Sequence, residues 1–169
     1  MTKNRETFVQ LMQDNKGIVL KICNSYCTHK HDRDDLAQEI IFNLWKGFAN
    51  YTPEYKFTTW MYRVGLNVAI SFYRKEMRSI QFNAYSENLI VFDNADENKL
   101  EEESSLGLLQ KFILELKEID KSIMLLYLDQ KSYAEIAEIV GITETNVATK
   151  INRIKINLKT KFTNKIYKQ

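Results

Sequence analysis

Apolar residues recur along this chain at helical spacing from end to end. Phe8, Leu11, Met12, Val19, Ile22, Cys23 and Tyr26 predict a first helix. A second starts near Asp32–Asp34 and turns Leu36, Ile40, Ile41, Leu44, Trp45 and Phe48 inward. Asn50 to Lys56 is a loop punctuated by Pro53. A third helix, about Thr58 to Arg78, carries Trp60, Met61, Val64, Val68, Ala69 and Phe72 as its apolar stripe. Residues 80–104 lose this period. It resumes from Leu106 to Leu116, and then in a helix that Asp120 caps, with Ile123, Met124, Tyr127 and Leu128 buried.

The pattern is sharpest over residues 132–158. Ser132 followed by Glu135 is a capping-box start. Tyr133, Ile136, Ala137 and Val140 form one buried face. Ala137 is small where two helices come closest. Gly141 suits the positive φ of a sharp exit. Thr143 can cap the next helix. That helix has an apolar stripe of Val147, Ile151, Ile154 and Leu158. Its opposite face carries Asn146, Thr149, Lys150 and Arg153, with Thr145 beside them. A short helix, a glycine turn and an amphipathic helix that grows basic is the pattern of a DNA-reading helix-turn-helix. Asn can pair with adenine, and Arg or Lys with guanine or phosphate.

A length of 169 residues allows one domain or two small ones, and five glycines and one proline fit an almost all-helical chain. The net charge of +2 hides an asymmetry. Glu87, Asp93, Asp96, Glu97, Glu101, Glu102 and Glu103 face only Lys99, whereas Lys150 to Gln169 holds bases and no acid. The acidic stretch reads as a flexible linker, because so long a gap inside one compact domain is unusual. The boundaries expected are 1–80, 81–104 and 105–169, an all-α chain of two small helical domains. No apolar run reaches membrane-spanning length and Met1 to Thr7 is no signal segment, so a cytoplasmic protein without membrane insertion is expected. Cys23, Cys27, His29 and His31 have a spacing that zinc could use. Ile18, Ile22 and Tyr26 flank the cysteines at helical spacing, so they read as small core residues, with no metal or other cofactor.

Two further faces point to partners. Arg63, Asn67, Ser71, Arg74 and Arg78, with Lys75 beside them, run along one side of the third helix among Trp60, Tyr62 and Tyr73. Cations that hold phosphate, interleaved with rings that stack on bases, suit DNA with unpaired bases. On the second helix Asp35, Gln38, Glu39, Phe42, Asn43 and Lys46 point outward, a mixture that suits a protein.

The segments Asp34 to Glu39, Asn43 to Trp45 and Phe57 to Ile70 resemble region 2 of the extracytoplasmic-function (ECF) sigma factors, of the sigma-70 family of bacterial RNA polymerase. Residues 132–158 resemble their region 4, and order, linker and length agree over nearly the whole chain. The resemblance implies a three-helix-type bundle for region 2 and a helix-turn-helix domain for region 4. It implies that Asp35, Gln38, Glu39 and Asn43 dock on the clamp helices of core RNA polymerase. Arg63, Asn67, Ser71, Arg74, Lys75 and Arg78 would engage and open the downstream promoter element, and the loop Asn50–Lys56 would hold a flipped base. Thr143, Thr145, Asn146, Thr149, Lys150 and Arg153 would read the upstream element. The linker would thread towards the RNA exit path. An anti-sigma factor is an implied partner, and the chain is expected to be a monomer when free. Ser71 and Ala148 depart from the acid and the lysine common at those places, which bears on base preference and on one DNA contact.

A stand-alone regulator would need neither the Asp34–Glu39 face nor the Thr58–Arg63 segment. An enzyme would need a complete constellation, and Asp35 with Glu39 lacks a second carboxylate pair.

Overall fold

The computed structural model of the protein describes residues 2–54, 56–86 and 105–166. These form eight helices: α1 Thr2–Asp14, α2 Lys16–Tyr26, α3 Lys30–Phe48, α4 Phe57–Ser86, α5 Ser105–Leu114, α6 Glu118–Leu128, α7 Tyr133–Val140 and α8 Glu144–Ile166. The expected all-α class holds, and among the described residues no strand occurs.

The first apolar pattern is two helices rather than one. Asn15 breaks it: its side-chain amide donates to the Leu11 carbonyl at 2.8 Å, and its own carbonyl accepts from the Ile18 N–H at 3.0 Å. Asparagine competes with the helical ladder in this way, so the first region has four helices instead of three. α4 continues to Ser86, past the boundary expected at 80. The rest of the acidic linker, from residue 87, lies outside the described residues.

α2, α3 and α4 pack on one another, and α6, α7 and α8 form the second unit. The units do not stand apart. α6 packs on both α2 and α4, and α7 on α4. One apolar cluster runs from Ile22, Leu36, Ile40, Leu44 and Met61 to Ile123, Leu126, Ile136, Val147 and Ile151. α6 is buried on all sides from Asp120 to Leu126, as a helix held between two layers must be. A smaller cluster of Phe112, Ile113, Met124, Ile154 and Leu158 seats α5 against α8.

Four burial expectations change. α3 buries the narrow stripe Leu36, Ile40, Leu44 and Phe48, so Ile41 and Trp45, one position further round, are exposed, Trp45 with its ring against Phe8 of α1. Leu128 is exposed while Leu125 and Leu126 are buried, because α6 meets the first unit on that side. Tyr133, on the first turn of α7, is exposed. Asp120 is not the cap of α6. Lys117 holds that place with extended backbone, and Asp120 lies in the first turn, buried.

Candidate nucleic-acid interface

The helix-turn-helix is built from local rules. Ser132 Oγ accepts from the Glu135 N–H at 3.2 Å, and Glu135 Oε2 accepts from the Ser132 N–H at 2.9 Å, closing the capping box. These bonds to Ser132 hold the Glu135 carboxyl below its usual range. Gly141 takes φ 79° and ends α7, its N–H donating to Ala137 O at 2.8 Å. Thr143 Oγ1 then accepts from the Asn146 N–H at 3.2 Å and starts α8. The α8 stripe Val147, Ile151, Ile154 and Leu158 is buried, which turns Thr145, Asn146, Thr149 and Arg153 to the surface. Thr149 Oγ1 donates back to Thr145 O at 2.9 Å and keeps its lone pairs outward.

The basic side of α8 is partly committed to the protein. Asp120 is 7% exposed and accepts from Lys150 Nζ at 2.9 Å and Arg153 Nη2 at 3.1 Å. Lys155 lies over the Tyr127 ring, 4.2 Å from its centroid, and Lys161 pairs with Glu115.

On α4, Arg63, Asn67, Ser71, Arg74, Lys75 and Arg78 are all exposed along one side. Arg74 Nε donates to Glu118 Oε1 of α6 at 3.1 Å, and Arg78 Nε donates to the Arg74 carbonyl at 3.2 Å. The aromatic half of the expected surface behaves differently. Tyr62 is fully buried, and its hydroxyl donates to Asp129 Oδ2 at 2.7 Å. Tyr73 lies under Lys121, whose Nζ is 4.4 Å from its centroid. The Tyr62 ring is closed to a base in this arrangement, and the half-buried Tyr73 ring has one side covered. Trp60 belongs to a cluster with Phe48, Tyr51 and Phe57 at the base of the loop before α4.

On α3, Asp35, Gln38 and Glu39 are exposed, and Asn43 is half-buried with its amide donating to Glu39 O at 2.8 Å. Phe42 among them is 63% exposed, with Ile41 and Trp45 alongside. This surface is more apolar than the sequence suggested. Cys23 and Cys27 are buried in the core of the first unit, and burial raises the Cys23 thiol to about 11 and the Cys27 thiol to about 12. His29 and His31 stand exposed around the start of α3.

Sequence reasoning missed the polar seam between the units. Tyr26 donates to Glu118 O at 2.6 Å and lies 2.7 Å from Ser122 Oγ. Asp129 bonds both Lys21 and Tyr62. Burial opposes ionisation of Asp129, and Lys21 and Tyr62 outweigh it, so the carboxyl is held below its usual range. The signal in the chain is Lys121 inside the apolar run of α6, since a charge inside such a run needs partners, here the Tyr26 and Tyr73 rings of the first unit.

An exposed recognition face on a capped helix-turn-helix, joined to a helical unit with a basic stripe, defines a DNA-binding protein of two helical regions. Comparison with known proteins narrows this. Residues 11–79 match the family model for Sigma-70 region 2, and residues 106–158 that for Sigma-70 region 4. The ECF RNA polymerase sigma factor SigW of Bacillus subtilis is 26% identical over 160 residues, covering 89% of this chain and 86% of that protein. The structure of CnrH, a sigma factor of Cupriavidus metallidurans, with the cytosolic domain of CnrY superposes with a TM-score of 0.70 at 20% identity, covering 95% of this chain and 90% of CnrH. RpoE with the anti-sigma factor NepR, from Bartonella quintana, gives a TM-score of 0.72 at 16% identity, covering 92% and 96%. The chain belongs to the ECF sigma factors of the sigma-70 family, which direct RNA polymerase to promoters at transcription initiation.

Proposed function

We propose that the three faces divide the work of promoter selection. The α3 surface of Asp35, Gln38, Glu39 and Asn43, around exposed Phe42, docks on core RNA polymerase. The α4 stripe of Arg63, Asn67, Ser71, Arg74, Lys75 and Arg78 engages the downstream element and its opened strand. Thr143, Thr145, Asn146, Thr149, Lys150 and Arg153 read the upstream element in the major groove. The observation that carries this reading is the capped α7–α8 turn, which presents the polar face of α8 outward while its apolar stripe is buried. Residues 1–80 and 105–169 carry the two binding surfaces, and the acidic stretch of 81–104 that follows the end of α4 at Ser86 acts as the tether. Tethered contacts on one polymerase make selection tighter than either domain alone achieves.

The protein binds and directs; it carries out no chemistry and uses no cofactor. It works in the cytoplasm as a monomer until it meets polymerase, promoter DNA or an anti-sigma factor. The complexes of CnrH with CnrY and of RpoE with NepR support the last partner. Among the described residues, no helix is long and apolar enough to cross a membrane.

Gel filtration with bacterial core polymerase tests the reading. The protein co-migrates with core, and the Gln38→Lys/Glu39→Lys double variant does not, while its far-ultraviolet circular dichroism is unchanged. Retained binding by that variant refutes the docking face. Arg153→Ala weakens selection of the upstream element, and unchanged selection removes Arg153 from the reading face.

A further inference from the structure

Two cations of the recognition helix converge on one buried carboxylate of a different helix. Asp120 lies in the first turn of α6, and both of its oxygens are used: Oδ1 accepts from Lys150 Nζ at 2.9 Å and Oδ2 from Arg153 Nη2 at 3.1 Å. The Lys150 side chain is 24% exposed and that of Arg153 66%. A buried carboxylate needs partners, so it draws both side chains inward. The consequences for the two differ. Lys150 is a compact point charge and is largely committed to the acid. Arg153 gives one nitrogen of a planar fork and keeps the rest of the guanidinium at the surface.

We propose that Asp120 is a positioning residue for promoter selection, acting through Arg153. This rests on α8 being the helix that reads the upstream element. The carboxylate fixes the direction of the guanidinium before DNA arrives, so the exposed nitrogens meet a chosen phosphate beside the groove. A phosphate contact of fixed direction sets the register in which Asn146 and Thr149 meet base edges. Asp120 also cancels one positive charge of the helix. Sequence-blind attraction is thereby held down while sequence-dependent contact is kept.

These two effects separate Asp120 from a simple brace between α6 and α8. A brace, once removed, weakens binding to every DNA alike. Loss of the carboxylate charge releases Lys150 and Arg153, which raises indiscriminate binding and lowers discrimination.

The test uses the full chain in holoenzyme with bacterial core polymerase. A duplex pool with a randomised upstream segment is enriched on the wild-type holoenzyme, and the enriched duplex is compared with a scrambled one. For Asp120→Asn, the ratio of affinities for the two duplexes falls by about tenfold. Binding to the scrambled duplex does not fall, and the plot of log affinity against log salt steepens by about one. Arg153→Lys, an exposed change that keeps the charge but not the fork, lowers the ratio while leaving the salt slope in place. In an Arg153→Ala background, Asp120→Asn alters the ratio by no more than about twofold. An equal loss on both duplexes, or an unchanged ratio in either single variant, overturns the proposal. If the wild-type holoenzyme enriches no upstream sequence, reading by α8 itself fails and Asp120 has nothing to position.

Discussion

Tyr62→Phe removes a single oxygen from the seam between the two units. The Tyr62 hydroxyl donates to Asp129 Oδ2 at 2.7 Å, and the ring is fully buried in α4. Burial first, and then the bond to the Asp129 carboxylate, push the phenol far above its usual range, so it stays a donor at any ordinary pH. A hydrogen bond to a charged acceptor contributes about 1.5–3 kcal/mol. Asp129 retains Lys21 after the change, and its side chain is 23% exposed, so water replaces part of what is lost. The expected cost is therefore at the low end, about 1.5 kcal/mol. That is a change of about tenfold in the unfolding equilibrium. Urea unfolding followed by circular dichroism reads it directly.

The seam, rather than Tyr62 alone, is tested by a double-mutant cycle with Asp129→Ala. The two residues touch across units that are 67 positions apart in the chain, so their coupling reports packing between the units. A coupling energy of about 1 kcal/mol is expected for such a pair, against about 0.3 kcal/mol for independent sites. A value at that lower level would refute the claim that this bond holds the units together. The denaturant slope should not change, since the same surface is exposed on unfolding.

Three other changes probe different parts of the structure. Ser132→Ala opens the capping box of α7 and should cost about 1 kcal/mol, read as a lower melting temperature. Gly65→Ala places a Cβ 2.7 Å from Ile22 Cδ1, a terminal methyl that must turn aside inside the core where α2 crosses α4; the helical gain of alanine offsets part of that repacking, so a net loss of about 1 kcal/mol or less is expected by the same melt. Acid should loosen the seam: the Asp129 carboxyl is held below its ordinary 3.8, and Glu118, bonded first by its own backbone and then by Arg74, below 4.5. Depressed folded values mean that this stability is present above the ordinary values and is lost as pH falls through the folded ones; a urea midpoint that does not fall between pH 5 and pH 3 in wild type more than in Asp129→Asn contradicts it.

The helix-turn-helix was legible because its determinants are local. Ser132 with Glu135, Gly141, Thr143 and the four-residue stripe of α8 each act within a few positions, and all took their expected places. The misses depend on partners far along the chain. Ile41 and Trp45 have core composition, but α2 and α4 together cover only the Leu36–Phe48 stripe, and Phe8 of α1 covers only part of Trp45. Asp120 matches a cap in every local respect, and only Lys150 and Arg153, on another helix, give it a different task. Tyr62 sits among basic residues of α4, but the surface it faces belongs to α6 and the turn after it. There Gln130 takes φ 58° as the chain reverses, beside Asp129.

The seam also ranks what α4 can offer DNA while the units are packed. Arg74 is held by Glu118 through one bond at 3.1 Å, and both side chains reach solvent. An exposed pair of this kind contributes about 0–1 kcal/mol, so a phosphate can displace Glu118 at little cost. Arg63, Asn67, Ser71 and Lys75 are exposed already. The rings are different. Tyr62 is fully buried and bonded to Asp129, and Tyr73 is half-buried with one side under Lys121, itself buried between Tyr73 and Tyr26. A base that stacks on Tyr62 must first displace α6, which breaks the Tyr26–Ser122 contact and the shared apolar cluster as well. The packed chain therefore exposes the cations of α4 and withholds the Tyr62 ring, while Phe42 and Trp45 of α3 stay exposed. On the role proposed for α4, phosphate contact along it precedes separation of the units, and stacking on Tyr62 follows it.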